Sequence, residues 1–204
     1  NLHSRAPTRR QRNRHPRSDG FKYRTVGLAA DLLQNMGMSV AQLPGGEIVP
    51  AMERGVIDAF EFNNPTSDRR FGAADVAKNY YLSSYHQASE AFEFLFNKDF
   101  FDDLDPDLQA ILTHGVEATS TANTMLALDQ YSRDLEELQS QEGVTVHRTS
   151  KEILAGQLDS WDKIIVELEK DPFMKRCLDS QRAWVERVAF YEIMGGTDLV
   201  TAYN

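Results

Sequence analysis

Three short segments of the sequence carry side chains that could bind a small charged ligand. In the first, Arg24 ends a β-like segment shortly before Gly27 and a helical stretch. An arginine at that place could hold a carboxylate with two hydrogen bonds, because the start of a helix favours anions. The alternative is an ordinary surface ion pair.

The second segment centres on Glu61, which lies between Phe60 and Phe62 at the end of a predicted strand. Since side chains alternate along a strand, two phenylalanines on one face place Glu61 on the other. It would then face the crevice beyond the strand ends, where α/β proteins bind ligands. Its carboxylate, with backbone carbonyls from the Asn-Asn-Pro turn that follows, could hold a hard cation. The alternative is an exposed acid at a strand end.

The third segment, Tyr80–Gln87, places aromatic rings before imidazole and amide groups. Such a sequence could line a pocket with an apolar wall and a few polar anchors. The alternative is packing against a neighbouring helix, which we expect for Tyr80 and Tyr81 rather than for His86 and Gln87.

Motifs of catalysis are absent from the sequence. It contains no serine-hydrolase elbow, no zinc-protease pair, no phosphate-binding loop and no pair of closely spaced cysteines. The single cysteine, Cys177, rules out an internal disulfide and is expected to be a small core residue. The five histidines are dispersed, so a histidine zinc site is not expected.

The ligand-binding segments belong to a regular pattern that begins at Phe21. Strands near residues 21–26, 39–43 and 56–62 alternate with short helices near 28–36 and 47–54, which predicts an α/β unit. The pattern also predicts a helix capped by Asp68 and running to about Lys78, strands near 80–85, 91–97 and 144–147, and long helices near 105–141, 151–170 and 172–194. No apolar run approaches the ~20 residues that span a bilayer.

Residues 1–19 differ from the rest in composition. They contain six arginines and one acid, whereas the remaining residues carry a net charge of −14. With only one large apolar residue, the segment is predicted to be a disordered basic segment. An acidic body repels phosphate backbones, so we expect no nucleic-acid partner. The alternative for residues 1–19 is a basic arm that binds nucleic acid or anionic lipid.

The stretch FKYRTVGLAADLLQNMGMSVAQLPGGEIVPAMERGVIDAFEFNNPTSDRRFG resembles the solute receptors of tripartite ATP-independent periplasmic (TRAP) transporters. It is most similar to the branch for α-keto acids, lactate and related carboxylates, which is grouped with mannitol and chloroaromatic receptors. LPGGEIVPAMERGVIDA is the most specific part, and FNKDFFDDLDP before the long helices also fits. The resemblance covers residues 20–204, the C-terminal portion of such a receptor.

The resemblance implies a periplasmic-binding-protein-like lobe, a mixed sheet with flanking helices, followed by long C-terminal helices. It also implies that the first lobe is largely missing and that residues 1–19 lie outside the family pattern. The family's substrate-binding arginine falls on Arg24, with Asn64 and Tyr85 as further substrate-binding residues.

The resemblance further implies a sodium or calcium ion that bridges protein and substrate. Its ligands fall on the side chain of Glu61, the backbone carbonyl of Phe62 and the side chain of Gln87. We expect an acid at position 87 from the family, and the neutral Gln87 amide therefore implies a weaker metal site.

The function implied is that of a periplasmic receptor, not an enzyme, which delivers a small carboxylate to the membrane subunits of a TRAP transporter. The alternative is a truncated remnant that binds little ligand and forms a homodimer through its C-terminal helices. Those helices carry apolar stripes, although the stripes could instead pack on the body of the protein: Leu158, Trp161, Ile165 and Leu168, then Trp184, Val188 and Tyr191.

Overall fold

The computed structural model describes residues 2–4, as backbone, together with residues 20–86 and 92–196. The strands in these ranges are β1 (Leu2–Ser4), β2 (Lys22–Arg24), β3 (Ser39–Ala41), β4 (Ala59–Glu61), β5 (Asn79–Leu82) and β6 (Thr145–Arg148). The helices are α1 (Leu28–Asn35), α2 (Ile48–Glu53), α3 (Pro65–Arg70), α4 (Ala73–Val76), α5 (Lys98–Asp102), α6 (Pro106–Ser140), α7 (Lys151–Leu168) and α8 (Pro172–Gly195).

The strands form one mixed sheet in the order β3-β2-β4-β1-β5-β6. β1 pairs antiparallel with both β4 and β5, and the other neighbouring pairs are parallel. All strands except β1 therefore point the same way, and the carboxyl ends of β2, β4 and β5 meet at one edge of the sheet. This arrangement confirms the predicted α/β fold and marks the edge where a ligand site is expected.

β1 corrects the prediction that the whole of residues 1–19 is disordered. Leu2–Ser4 is inserted between β4 and β5, with His3 opposite Phe60 on one side and Tyr80 on the other. Composition missed this strand because its backbone hydrogen bonds come from two distant strands and do not depend on its own side chains. Residues 5–19 lie outside the described residues, so the prediction for them remains untested.

The core beneath β4 is built from the helix that follows the LPGG sequence. Ile48 and Met52 on α2 pack with Ile57 and Phe60, and all four are fully buried. Burying a side chain of this size contributes about 1.5–3 kcal/mol. Glu61 therefore directly follows Phe60, a residue of β4 that is packed in the core.

The helix after β4 begins earlier than the sequence analysis predicted, and Asp68 does not cap it. Asn64 is the cap: its side chain accepts a hydrogen bond from the Ser67 backbone at 3.0 Å, and the Ser67 hydroxyl accepts one from the Asn64 backbone at 3.2 Å. Pro65 suits the first helical position. The helix does not reach Lys78, because Gly72 adopts a left-handed conformation (φ 84°) between α3 and α4.

The predicted strand at residues 91–97 is wrong for 92–97, which form no strand, while Ala91 lies outside the described residues. Phe92, Phe94 and Phe96 alternate as a strand requires, yet their side chains are 65%, 52% and 42% exposed. Alternation indicates a strand only where a neighbouring strand supplies hydrogen bonds. No strand of the described residues pairs with this segment.

The C-terminal end of α6 is attached to α3 through the buried acid Asp134. Its carboxylate accepts hydrogen bonds from Thr66 at 2.5 Å, Gln130 at 2.9 Å and Arg69 at 3.0 Å. Burial by itself would raise the pKa of Asp134, but these three bonds outweigh burial and hold the pKa below its ordinary value.

We expect Asp134→Asn to lower the free energy of unfolding by about 1–3 kcal/mol, because its three hydrogen-bond partners lose the charged acceptor that they share. Since the folded-state pKa of Asp134 is depressed, its contribution is complete above the unfolded-state pKa and is lost as pH falls through the folded-state pKa. Urea unfolding near neutral pH and in acid measures both effects. Asp129→Asn, an exposed acid on the same helix, is the control. Equal destabilisation by the two substitutions would contradict this assignment.

The chain divides into two units, Asn1–Leu158 and Asp159–Asn204. The second unit holds the end of α7 and all of α8, and Asp171 caps α8 by accepting hydrogen bonds from Phe173 and Met174. This confirms the predicted break before Pro172. Cys177 on α8 is half-buried. Within residues 20–86 and 92–196, no helix has the length and apolar character needed to cross a membrane.

Candidate functional site

Arg24 lies at the carboxyl end of β2, and hydrogen bonds engage two of its three side-chain nitrogens. Its Nε donates to the Leu43 carbonyl at 2.8 Å, and its Nη1 donates to the backbone carbonyl of Glu61 at 2.9 Å and to Glu61 Oε1 at 3.2 Å. Its Nη2 has no hydrogen-bond partner among the described residues. Arg24 is only 5% exposed, so the interpretation as a surface ion pair is wrong.

Glu61 ends β4 and is 4% exposed, which excludes the alternative of an exposed acid at a strand end. Its Oε1 also accepts a hydrogen bond from Thr25 at 3.2 Å. Its Oε2 lies 3.7 Å from Nε2 of His86, which follows β5. The carboxylate is therefore surrounded by residues from three strand ends at the same edge of the sheet.

Arg24 and Glu61 are predicted from the sequence to have separate roles, and the structure brings them together as a buried ion pair. Burial lowers the pKa of the Arg24 guanidinium, and the negative charge of Glu61 opposes that shift. Arginine nevertheless stays charged in proteins. Because a buried pair costs much of its attraction in desolvation, it is weak evidence for stability and points to a functional role.

Two residues of the site were not predicted from the sequence. Thr25 is fully buried against Glu61, and the Leu43 carbonyl fixes the Arg24 side chain. His86 was predicted as a possible polar anchor of a pocket, and it lies beside Glu61. Leu43 is the first residue of the LPGG sequence, so this motif contributes a backbone acceptor to the site. The periodicity of a sequence does not predict a hydrogen bond to a backbone carbonyl.

Gly45 in the same motif makes room for Phe62, the residue directly after Glu61. A Cβ atom added to Gly45 would lie 2.8 Å from Cε2 of the Phe62 ring, closer than such contacts occur. The ring also packs on Phe71, with ring centroids 4.7 Å apart. The ring of Phe62, whose backbone carbonyl is a predicted metal ligand, therefore has neighbours at both Gly45 and Phe71.

We expect Gly45→Ala to displace the Phe62 ring, because the new methyl group and the ring cannot occupy the same space. Overpacking of this kind costs about 1–3 kcal/mol, and we expect a matching loss of thermal stability by circular dichroism. Gly46→Ala is the control, since a Cβ atom there meets nothing within 4 Å. Equal stability of the two variants would show that Phe62 is not confined by Gly45.

Tyr80 confirms the predicted packing against neighbouring helices, whereas Tyr81 packs on a strand. Tyr80 is fully buried and donates a hydrogen bond to Asp68 at 2.9 Å. Asp68 also accepts a hydrogen bond from the Asn63 backbone at 3.1 Å, which fixes the turn after Phe62. Tyr81 stacks on His147, with ring centroids 4.7 Å apart.

Asn64, Tyr85 and Gln87 remain predictions as ligand-contacting residues. The Asn64 side chain caps α3 and also donates to Asn63 at 2.9 Å. Tyr85 is 46% exposed, and its backbone N–H donates to Gln157 at 2.7 Å. Gln87 lies outside the described residues.

A cation at Glu61 would be held by mixed oxygen ligands. Within the described ranges, no three His, Cys, Asp or Glu side chains converge as a metal site. The predicted ligands are the carboxylate of Glu61, the backbone carbonyl of Phe62 and the amide of Gln87, all of them oxygen donors. Such an oxygen set fits sodium or calcium and does not fit zinc.

Residues 18–171 match the family described as bacterial extracellular solute-binding protein, family 7 (DctP). The chain belongs to this family. Among the relatives of this family-7 chain is a monocarboxylate 2-oxoacid-binding periplasmic protein of Nostoc sp., which is 30% identical over 173 residues. That alignment covers 83% of this chain and 46% of the relative.

Two solved TRAP periplasmic solute-binding proteins are similar in both sequence and structure. The protein of Pseudoalteromonas atlantica, with bound sodium and pyruvate, is 27% identical with a TM-score of 0.77. The protein of Colwellia psychrerythraea, with bound calcium and pyruvate, is 26% identical with a TM-score of 0.77. Each match covers 86% of this chain and 54% of the other, so the family-7 chain spans about half the length of these relatives.

Proposed function

We propose that this chain binds a small 2-oxo or 2-hydroxy carboxylate, without converting it, as part of a TRAP solute receptor. Arg24 holds the ligand's carboxylate, and a sodium or calcium ion held by Glu61 and the Phe62 carbonyl engages its oxo or hydroxyl oxygen. The observation that carries this proposal is the buried Arg24–Glu61 pair, in which Nη2 of Arg24 has no hydrogen-bond partner among the described residues.

The hydrogen bonds of Arg24 explain how it would select a carboxylate. Its Nε and Nη1 are engaged with Leu43 and Glu61, so the guanidinium is held in one orientation before a ligand arrives. The two N–H groups of Nη2 are then the donors left for the ligand. A donor that is already oriented loses less conformational freedom on binding, which favours affinity.

The charge balance explains why a cation would accompany the ligand. Arg24 and Glu61 cancel each other, so a carboxylate entering alone would leave one negative charge in a buried site. Burying an unbalanced charge is costly. One sodium ion would balance a monocarboxylate, and a calcium ion would leave a single positive charge. The two similar structures hold sodium and pyruvate, and calcium and pyruvate, which supports a cation as companion of the ligand.

The relatives support the ligand class and the setting. The Nostoc protein is named for monocarboxylate 2-oxoacids, and both solved proteins hold pyruvate. We infer that the ligand is a small acid of this kind, that the chain works in the periplasm, and that the longer receptor delivers the acid to the membrane subunits of the transporter.

Competition between chemically related acids tests the ligand class. We expect pyruvate and lactate to displace one another when sodium or calcium is present, and propionate to compete poorly because it lacks the oxygen that engages the cation. Ligand-observed NMR measures displacement and also shows whether pyruvate is consumed. Equal binding of propionate would contradict the role of the cation, and loss of pyruvate would favour an enzyme.

A second candidate function, self-association with little ligand binding, is favoured by the surface of α8. Seven of its large apolar side chains are each at least 50% exposed, and apolar surface of this extent marks an interaction site: Phe173, Trp184, Val185, Phe190, Tyr191, Ile193 and Met194. Sedimentation velocity of the wild type and of a Tyr191→Ser, Ile193→Ser variant tests it. A monomeric wild type would exclude this candidate.

A further inference from the structure

Gln157 on α7 is a buried glutamine, 3% exposed, whose amide contacts the turn after β5. Its Oε1 accepts a hydrogen bond from the Tyr85 backbone at 2.7 Å, and its Nε2 donates to the Ser84 hydroxyl at 2.8 Å. One end of the amide must accept and the other must donate, so the Tyr85 N–H fixes which way the amide is turned. The donor end of Gln157 is therefore directed at Ser84.

The orientation of the Gln157 amide determines how the Ser84 hydroxyl bonds to His86. Its oxygen accepts from Gln157 Nε2 and also from the His86 backbone N–H at 3.3 Å, so the hydroxyl proton is left for another acceptor. Two acceptors lie within reach: Nδ1 of His86, and Oε1 of Gln157 at 3.2 Å. Oε1 of Gln157 already accepts the Tyr85 N–H. If the Ser84 hydroxyl donates to Nδ1 of His86, each of these donors and acceptors therefore has a partner. A neutral imidazole that accepts at Nδ1 carries its proton on Nε2.

The proton on Nε2 faces Glu61. The His86 side chain is 3% exposed, and its Nε2 lies 3.7 Å from Glu61 Oε2. On the other side of the same carboxylate, Arg24 and Thr25 donate to Oε1. The carboxylate is thus flanked by donors at both oxygens, one set from β2 and one from the turn after β5.

We propose that Gln157 is a positioning residue for Glu61. It sets the Ser84 hydroxyl as a donor, Ser84 holds His86 with its proton on Nε2, and His86 faces the second oxygen of Glu61. The effect on the orientation of the Glu61 carboxylate is independent of any ligand. Its consequence for cation-assisted binding of a carboxylate rests on the proposed function.

The arrangement of protons on His86 in the ligand-free protein tests the proposal. Long-range ¹H–¹⁵N spectra of the imidazoles show which ring nitrogen carries the proton, and His86→Gln assigns the signal. We expect wild-type His86 to carry its proton on Nε2.

Gln157→Glu is the most informative variant, because it keeps the shape of the side chain and the acceptor for Tyr85 but cannot donate to Ser84. The Ser84 hydroxyl then donates to the new carboxylate, and we expect the His86 proton to move to Nδ1. Ser84→Ala removes the hydroxyl and is expected to abolish the preference for Nε2. Gln139→Glu, at an exposed site on α6, is the matched control and should change nothing.

The proposal is overturned if wild-type His86 carries its proton on Nδ1, or if both Gln157→Glu and Ser84→Ala leave it on Nε2. Should Gln157→Glu fail to fold, Ser84→Ala decides alone. In a second measurement, we expect Ser84→Ala to weaken cation-assisted pyruvate binding by up to about tenfold, in keeping with one neutral hydrogen bond. If the wild type binds no pyruvate, the proposed function fails while the spectra still decide the role of Gln157.

Discussion

Replacing Arg24 with lysine is expected to weaken pyruvate binding by at least about a hundredfold while the protein stays folded. Lysine keeps the positive charge beside Glu61, so the buried carboxylate is not left alone. It cannot, however, hold the Leu43 carbonyl, Glu61 and a ligand at the same time, because an ammonium lacks the planar fork of a guanidinium. Two hydrogen bonds to a charged ligand contribute about 1.5–3 kcal/mol each, which corresponds to a hundredfold or more.

Isothermal titration calorimetry with pyruvate measures this effect, and circular dichroism verifies the fold of the variant. Arg70→Lys, on the exposed side of α3, is the control and should bind as the wild type does. Arg24→Ala should weaken binding at least as much, but it leaves Glu61 buried without its cationic partner and is expected to be less stable. Wild-type affinity in a folded Arg24→Lys variant would remove Arg24 from the ligand site.

Replacing Glu61 with glutamine is expected to remove the response of pyruvate binding to sodium or calcium. The amide keeps the shape of the side chain and an acceptor for Thr25 and Arg24, but it offers the cation no charge. In this variant the positive charge of Arg24 can balance the ligand carboxylate directly. We therefore expect residual binding that is the same with and without the cation.

The same titrations, repeated over a range of sodium or calcium concentrations, measure the loss of the cation response. Glu53→Gln, an exposed acid at the end of α2, is the control and should keep the wild-type response. A Glu61→Gln variant that still responds to the cation as the wild type does would show that the cation is held elsewhere.

Local sequence signals predicted most of the secondary structure that supports the site. α6 spans Pro106–Ser140, close to the helix expected from a proline that suits the first turn and a glycine that ends the pattern. The strands that carry Arg24 and Glu61 also lie within their predicted segments. Signals of this kind come from neighbours along the chain, so composition and periodicity are sufficient to read them.

Local sequence signals do not predict contacts between residues that are distant along the chain. Arg24 and Glu61 were each named as candidates, but their contact depends on the register of β2 against β4, in which Arg24 lies opposite Phe60. The contact of Gln157 with Ser84 joins residues 73 positions apart. β1 is the same kind of case, since three residues take their place in the sheet from two strands far along the chain.

The linkage between cation and ligand tests the central claim most directly. The measurement is calorimetric titration of the folded chain with pyruvate, first without added sodium or calcium and then with each. Because the binding of two ligands is reciprocal, a cation that strengthens pyruvate binding must itself bind more tightly when pyruvate is present. We expect pyruvate affinity to rise at least about tenfold with the cation, as the buried negative charge becomes balanced. Two results would contradict the claim that Arg24 and Glu61 form a cation-assisted carboxylate site. One is a pyruvate affinity that is the same with and without the cation, and the other is no binding by a folded chain under either condition.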